Sequence, residues 1–264
     1  MIFKDSLRKL ILSGNHAQLL KYEVFEHSIG IKINYSDDFK KTNSLLVSTH
    51  RTRRELTNLA YANFDQWGEK TKILTLTKRA NLDLTQGAQY FKKFIRSISD
   101  LLHYRLQYVS VPEFQERGAV HYHMLMFNFP FMDKVYAKLR TLWGDPQVNL
   151  DTIRNQGSVE ANVRYITKYI TKQATDERFF NRRRYYPSRE LKRPVIITND
   201  QMIEMIDWSL KPFQTKKDTF QTQFCGNMTS IEYDFTKVNG ILNLPALVSE
   251  ARDYLSPLVK SAII

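Results

Sequence analysis

The sequence predicts an α+β fold, an antiparallel β-sheet of the split βαβ (ferredoxin- or RRM-like) type with helices packed on one face. The main observation is the order strand, helix, strand, strand, helix, strand, read from hydrophobic periods of two residues and about 3.6 residues. The 264 residues leave room for extensions on both sides of this core. We therefore divide the chain into a mostly helical N-terminal extension (1–70), a core (71–175) and a C-terminal extension (176–264).

Local patterns define the first half of the core. Lys72–Thr77 alternates and is β-branched, which predicts a strand. Thr85–His103 carries apolar residues at helical spacing. Leu106–Val111 predicts a second strand, and Pro112 is expected to stop it because proline cannot donate to a central ladder. Ala119–Phe127 is apolar on both faces and predicts a central strand.

The second half of the core follows the same logic. Phe131–Trp143 predicts a helix closed by Gly144, and Gln147–Ile153 predicts a strand. A further helix is expected to begin after Ser158 and to reach about Gln173. Outside the core, the patterns predict a helix from Arg51 to about Trp67, a strand over Val195–Thr198 and a helix over Met202–Leu210.

Charge and composition favour a nucleic-acid partner. Lys and Arg number 39 against 27 Asp and Glu, for a net charge of +12, which suits a phosphate polyanion. Aromatic residues make up 12% of the chain, and unpaired bases stack on such rings, so single strands are favoured. The sequence has no run of eighteen apolar residues, and we expect no membrane partner. A single cysteine, Cys225, fits a reducing cytoplasm.

Two basic segments are candidates for binding DNA. The stretch Arg178–Pro194 is the densest in basic and aromatic residues, although a solvated loop is an equally good interpretation. The basic start of the helix at Arg51 is a second candidate, for which an exposed charge cluster is the simpler interpretation. The candidate DNA-binding residues are Arg182, Arg183, Arg184, Tyr185, Arg51, Arg53 and Arg54.

A histidine pair predicts a metal site on a hairpin. His121 and His123 are two residues apart in a strand, so both rings leave the same face. A three-residue loop ending at Gly118 would set Glu113 opposite His121 and add a carboxylate ligand. A two-residue loop would misplace Glu113, and Glu116 is the second candidate ligand. Two imidazoles and one carboxylate leave open positions, as in catalytic metal sites.

A helix face predicts the nucleophile. Tyr165, Lys168, Tyr169 and Lys172 fall within an arc of about 100°, and the apolar residues lie on another face. Ammonium groups beside a phenol favour its phenolate form and stabilise charge on a phosphate under attack. An amphipathic helix with tyrosines at the edge of the core is the simpler interpretation of this helix alone.

These motifs together resemble the HUH endonuclease superfamily. Three segments match in order: Leu74–Thr77, the stretch Glu113–His123 with its histidine–hydrophobe–histidine core, and the double YxxK of Tyr165–Lys172. The double YxxK is most similar to the two-tyrosine rolling-circle replication initiators (Rep proteins) of small single-stranded DNA phages and bacterial plasmids. The resemblance covers roughly residues 72–175.

The resemblance implies a metal-dependent endonuclease and strand transferase acting on single-stranded DNA at a replication origin. His121, His123 and Glu113 would hold Mg²⁺ or Mn²⁺, and Tyr165 or Tyr169 would take the 5′-phosphate and leave a 3′-hydroxyl. With no GxxxxGK[ST] motif, the chain should need a host helicase, as well as a host polymerase, in the cytoplasm of a bacterial cell. A mobilisation relaxase, a single-strand transposase and a non-catalytic DNA-binding regulator are the alternatives.

Overall fold

A computed structural model describes residues 3–25, 37–64, 66–67, 70–152, 159–221, 227–236, 246 and 248–249. Ser158 and Cys225, named above, lie outside these residues. In chain order the elements are β1 (Phe3–Ser13), β2 (His16–Phe25), α1 (Asp37–Phe64), β3 (Lys72–Thr77), α2 (Leu84–Leu102), β4 (Tyr108–Phe114), β5 (Val120–Met126), α3 (Val135–Trp143), β6 (Val148–Thr152), α4 (Val159–Lys172), β7 (Tyr186–Pro187), β8 (Val195–Ile197), α5 (Asp200–Leu210), β9 (Gln214–Gln221) and β10 (Asn227–Asp234).

The predicted α+β class is confirmed, and the chain forms two compact units. One unit comprises Tyr35–Lys192, and the other comprises Met1–Asn34 with Arg193–Ile264. This division differs from the three segments predicted from the sequence. The first 70 residues are not mostly helical, since β1 and β2 form a hairpin there.

The larger unit contains an antiparallel sheet in the order β6-β3-β5-β4-β7. This order places β5 at the centre, where its apolar residues on both faces are buried. The even-numbered side chains of β5 pack with α2 and α3, including the fully buried Tyr122 and Met124. The odd-numbered side chains face α1 and α4, where Leu125 packs with Leu56 and Ile166. The helices of the split βαβ unit therefore share one face, as predicted, and α1 and α4 cover the other.

Strand β4 continues through Pro112 to Phe114, so the prediction that Pro112 stops it is wrong. The reason is the direction of its backbone groups. Gln107 and Gln115 bond across to β5, so the odd-numbered residues of β4 carry that ladder. Pro112 faces the other way, beyond its last pair with β7 at Ser110, and no ladder bond is lost. Its carbonyl instead accepts a hydrogen bond from Gln173 Nε2 at 2.7 Å.

Two helices begin elsewhere than predicted. Helix α1 starts at Asp37, so Arg51 lies within it rather than at its start. Helix α3 starts at Val135 because Lys134 adopts a left-handed backbone with φ 53°, which breaks any helix reaching back to Phe131. Gly144 ends α3 in the left-handed conformation, as predicted.

The smaller unit contains a second antiparallel sheet in the order β8-β1-β2-β10-β9. Helix α5 packs on one face of this sheet, where Ile206 and Leu210 meet Leu10 and Leu19. Across the described residues, no helix has both the length and the apolar character needed to cross a bilayer. This unit supplies none of the candidate catalytic or metal-binding residues.

Candidate active site

The hairpin β4–β5 places Glu113 directly opposite His121, which confirms the predicted register. Gln115 N donates to Ala119 O, and Gly118 N donates to Gln115 O, so the loop has three residues. Gly118 has φ +89°, a backbone conformation that side-chain-bearing residues rarely adopt. Glycine at this position therefore fixes the register that brings the carboxylate to the histidine pair.

Glu113 accepts hydrogen bonds from two side chains. Its Oε2 lies 2.7 Å from His123 Nε2, and its Oε1 lies 2.5 Å from Lys172 Nζ. Burial alone would raise the pKa of Glu113, but the hydrogen bonds from His123 and Lys172 outweigh burial and lower the pKa to about 2. The carboxylate is therefore ionised at neutral pH, and neutral His123 must donate to it from Nε2.

His121 presents an unused nitrogen. Its Nε2 is buried and, within the part of the chain that the structure describes, has no hydrogen-bond partner. Burial, with help from the neighbouring His123, lowers the pKa of His121 to about 4. Burial also lowers the pKa of His123, although Glu113 opposes this shift. Both imidazoles are therefore neutral near pH 7, which is the form that binds metals.

Two threonines that the sequence analysis did not single out contact the histidines. Thr75 is paired with His123 and Thr77 with His121 across β3 and β5. Each hydroxyl oxygen lies 3.4 Å from the Nδ1 atom of its histidine. Occupation of Nδ1 directs Nε2 toward the site, as partners of metal-binding histidines do. The threonines at alternate positions of Lys72–Thr77 were the available signal, but the register was needed to use it.

These residues fit a divalent metal in kind and in protonation state. The set comprises two neutral imidazoles, one of them with an orphaned buried nitrogen, and one ionised carboxylate. No group of three or more His, Cys, Asp or Glu side chains among the described residues converges well enough to hold an ion as they stand. Glu113 is engaged by His123 and Lys172, so a bound metal has to replace hydrogen bonds that the carboxylate already makes.

Helix α4 brings both tyrosines to the histidine pair. Val163, Ile166 and Ile170 pack in the core, as predicted from their spacing. The Tyr165 hydroxyl lies 3.4 Å from His123 Nδ1 and 3.4 Å from Thr75 Oγ1. The Tyr169 ring stacks on the His123 ring, with centroids 3.5 Å apart and planes 4° apart.

The two lysines predicted on this helix face also lie near the tyrosines. Lys168 Nζ lies 4.6 Å from the centroid of the Tyr165 ring and 4.8 Å from that of Tyr169. Lys172 Nζ lies 5.3 Å from the Tyr169 ring and binds Glu113. Burial raises the pKa of Tyr169 despite these ammonium groups, so Tyr169 is held as a neutral phenol.

The basic run Arg182–Arg184 divides into two environments. The side chains of Arg182 and Arg183 are exposed. Arg184 is only 6% exposed, and its guanidinium donates to Gln173 O at 3.2 Å and to Ser48 Oγ at 3.3 Å. The expectation that Arg184 contacts DNA phosphates is therefore not supported by its placement, because its guanidinium is spent on joining α4 to α1.

The other DNA-binding candidates are also constrained by their surroundings. Tyr185 is half-buried and packs against the core between the sheet, α1 and α4. On α1, Arg51 is exposed and paired with Glu55 at 3.1 Å, Arg53 is exposed, and Arg54 is half-buried. Arg53, Arg182 and Arg183 are thus the most accessible members of the predicted set.

Adjacent arginines provide a test of this division. Replacing Arg184 with methionine is expected to lower the free energy of unfolding by about 1–3 kcal/mol, because the carbonyl of Gln173 loses a buried donor. The matched Arg183→Met variant is expected to change it by less than about 0.5 kcal/mol. Urea unfolding followed by tryptophan fluorescence measures both, and equal losses would contradict a structural role confined to Arg184.

Comparison with known proteins gives one family match. Residues 71–174 match the family model described as replication-associated protein of the ORF2 type, which supports a replication initiator family for this part of the chain. The match spans the sheet, the hairpin and α4, and less than half of the chain. No curated protein matches the chain significantly.

One similar solved structure is the crystal structure of the hypothetical protein ORF119 from Sulfolobus islandicus rod-shaped virus 1. The two sequences are 19% identical, and the alignment covers 44% of this chain and 91% of that chain, with a TM-score of 0.30.

Proposed function

We propose that this chain is a replication initiator that nicks and religates single-stranded DNA at an origin. The reaction passes through a 5′-phosphotyrosine intermediate and uses Mg²⁺ or Mn²⁺. The observation that carries the proposal is the meeting of α4 with the hairpin, where the Tyr165 hydroxyl lies 3.4 Å from a nitrogen of the histidine pair. The family match over residues 71–174 supports the role in replication.

The protein groups divide the chemistry among them. His121, His123 and Glu113 would hold the metal, which when bound polarises a phosphodiester and stabilises the charge that develops on it. A tyrosine hydroxyl supplies the nucleophile and retains the 5′ phosphate after the strand is cut. Lys168, exposed above both tyrosine rings, supplies positive charge where a phosphate would lie.

The two tyrosines, one helical turn apart, suit repeated transfer. After the first cut, the 3′-hydroxyl is free to prime synthesis by a host polymerase, and a host helicase would separate the strands. The second tyrosine then takes the next phosphate, which allows the displaced strand to be closed into a circle. The net charge of +12 and the exposed Arg182 and Arg183 favour retention of a single strand near the site.

The test uses overlapping single-stranded oligonucleotides that tile the DNA molecule carrying the gene. Each is incubated with the full-length protein and Mn²⁺ or Mg²⁺, and covalent products are separated in denaturing detergent. We expect one oligonucleotide to give an adduct that chelation with EDTA prevents. Binding without any adduct in either metal would reject the enzyme and favour a non-catalytic DNA-binding regulator.

A further inference from the structure

The two candidate nucleophiles lie in different environments. Tyr169 is 5% exposed, and its ring lies flat on the imidazole of His123. Tyr165 is half-buried and meets His123 edge-on, with ring centroids 6.1 Å apart and planes 81° apart. Its own ring contacts the Tyr169 ring edge-on at 5.3 Å. The pair is thus not symmetric, although the sequence repeats Tyr-Ile-Thr-Lys twice.

Access to a phosphate differs accordingly. A nucleophilic oxygen must come within about 3–3.5 Å of the reacting phosphorus in the right orientation. The Tyr165 hydroxyl already lies at the Thr75 and His123 edge of the site, on a ring that is partly exposed. The Tyr169 ring would have to leave its stack on His123, and Tyr165 flanks it on another side.

We infer that Tyr165 makes the first cut in the free protein, and that Tyr169 attacks only in the second transfer. In the first step, a bond forms between Tyr165 Oη and phosphorus, and the bond from phosphorus to the 3′-oxygen breaks. The phenolic proton passes to water, and the departing oxygen gains a proton to become the 3′-hydroxyl. The step is a transesterification and needs no oxidant, reductant or other co-reactant.

The second step requires the site to change. Once Tyr165 carries the DNA, its phenol is an ester and can no longer attack. Tyr169 becomes the remaining phenol of the pair, and release of its ring from His123 gives it access to the next phosphate. The stacked contact therefore delays the second tyrosine until the first is occupied, which separates initiation from termination.

This inference rests on the proposed function and is tested by single-turnover adduct formation. The probe is the oligonucleotide that the wild-type protein cuts, used with Mn²⁺. We expect Tyr165→Phe to slow the first adduct about 10²-fold. The matched Tyr169→Phe variant is expected to form it within about twofold of the wild-type rate, yet to fail in transferring the strand to a second oligonucleotide.

The outcomes separate the two proposals. Equal rates for the two single variants, or a larger loss in Tyr169→Phe, would overturn the order while leaving the enzyme intact. No adduct from the wild-type protein would remove the proposed function and this inference with it. Thermal unfolding and oligonucleotide affinity of each variant are measured in parallel, so that a slow Tyr165→Phe variant is accepted as evidence only if both match the wild type.

Discussion

The double variant Tyr165→Phe/Tyr169→Phe is expected to form no covalent adduct while still binding the oligonucleotide. Phenylalanine keeps each ring, including the stack of residue 169 on His123, and removes only the two hydroxyl groups. Without a phenol the site has no oxygen placed for attack. Adduct yield in denaturing gels and affinity by fluorescence anisotropy measure the two properties separately.

Tyr136→Phe is the matched control for this variant, since Tyr136 is an exposed tyrosine on α3 whose hydroxyl bonds to Leu150 O. It is expected to leave the adduct yield unchanged. An adduct that persists in the double variant would show that another side chain is the nucleophile, and the assignment of α4 would fall.

Replacing His121 with alanine is expected to reduce the rate of adduct formation by about 10³-fold, equivalent to roughly 4 kcal/mol. The imidazole with the orphaned buried nitrogen is then missing, and with it one of three proposed metal ligands. Affinity for the oligonucleotide is expected to change little, because the exposed arginines that would contact phosphates lie elsewhere.

Metal binding provides a second measurement on the same variant. Calorimetric titration with Mn²⁺ is expected to show weaker binding to His121→Ala than to the wild type. His50→Ala serves as the control because His50 is exposed on α1. Wild-type Mn²⁺ affinity and wild-type cleavage in His121→Ala would contradict the assignment of this histidine as a ligand.

The hairpin was predictable because its determinants are local. Gly118 lies at the one loop position that needs a left-handed backbone, and the three-residue loop then forces Glu113 opposite His121. Helix α4 was predictable for the same reason, since Val163, Ile166 and Ile170 repeat at helical spacing and pack in the core. Their meeting follows from the family resemblance and not from either pattern.

The second sheet was not predictable from local patterns. Strand β2 pairs with β10 through Leu19 and Ile231, more than two hundred positions apart, and no local signal encodes such a pairing. The N-terminal run around Leu10–Leu12 pairs with Val195–Ile197, so one of its neighbours in the sheet comes from the other end of the chain. The hairpin that it forms with β2 therefore belongs to a sheet whose other strands lie far away in the sequence.

Burial within a basic run was also beyond the sequence. Arg182, Arg183 and Arg184 are consecutive and chemically identical, but only Arg184 is enclosed. Its partners, Gln173 at the end of α4 and Ser48 on α1, are brought together by tertiary packing. Composition predicted a basic surface correctly in kind and could not assign its members.

The most direct test of the account is mass spectrometry of the covalent peptide–oligonucleotide adduct. Trypsin, which cuts after Lys and Arg, releases the same peptide, Tyr-Ile-Thr-Lys, from residues 165–168 and 169–172, so the wild-type adduct alone is ambiguous. In Tyr169→Phe the second peptide begins with phenylalanine, and the two become distinct. We predict that the DNA is attached to Tyr165 in that variant, through a bond that forms only with the divalent metal. Attachment to any residue outside Tyr165 and Tyr169 in the wild-type protein, or bound DNA with no attachment at all, would contradict the account.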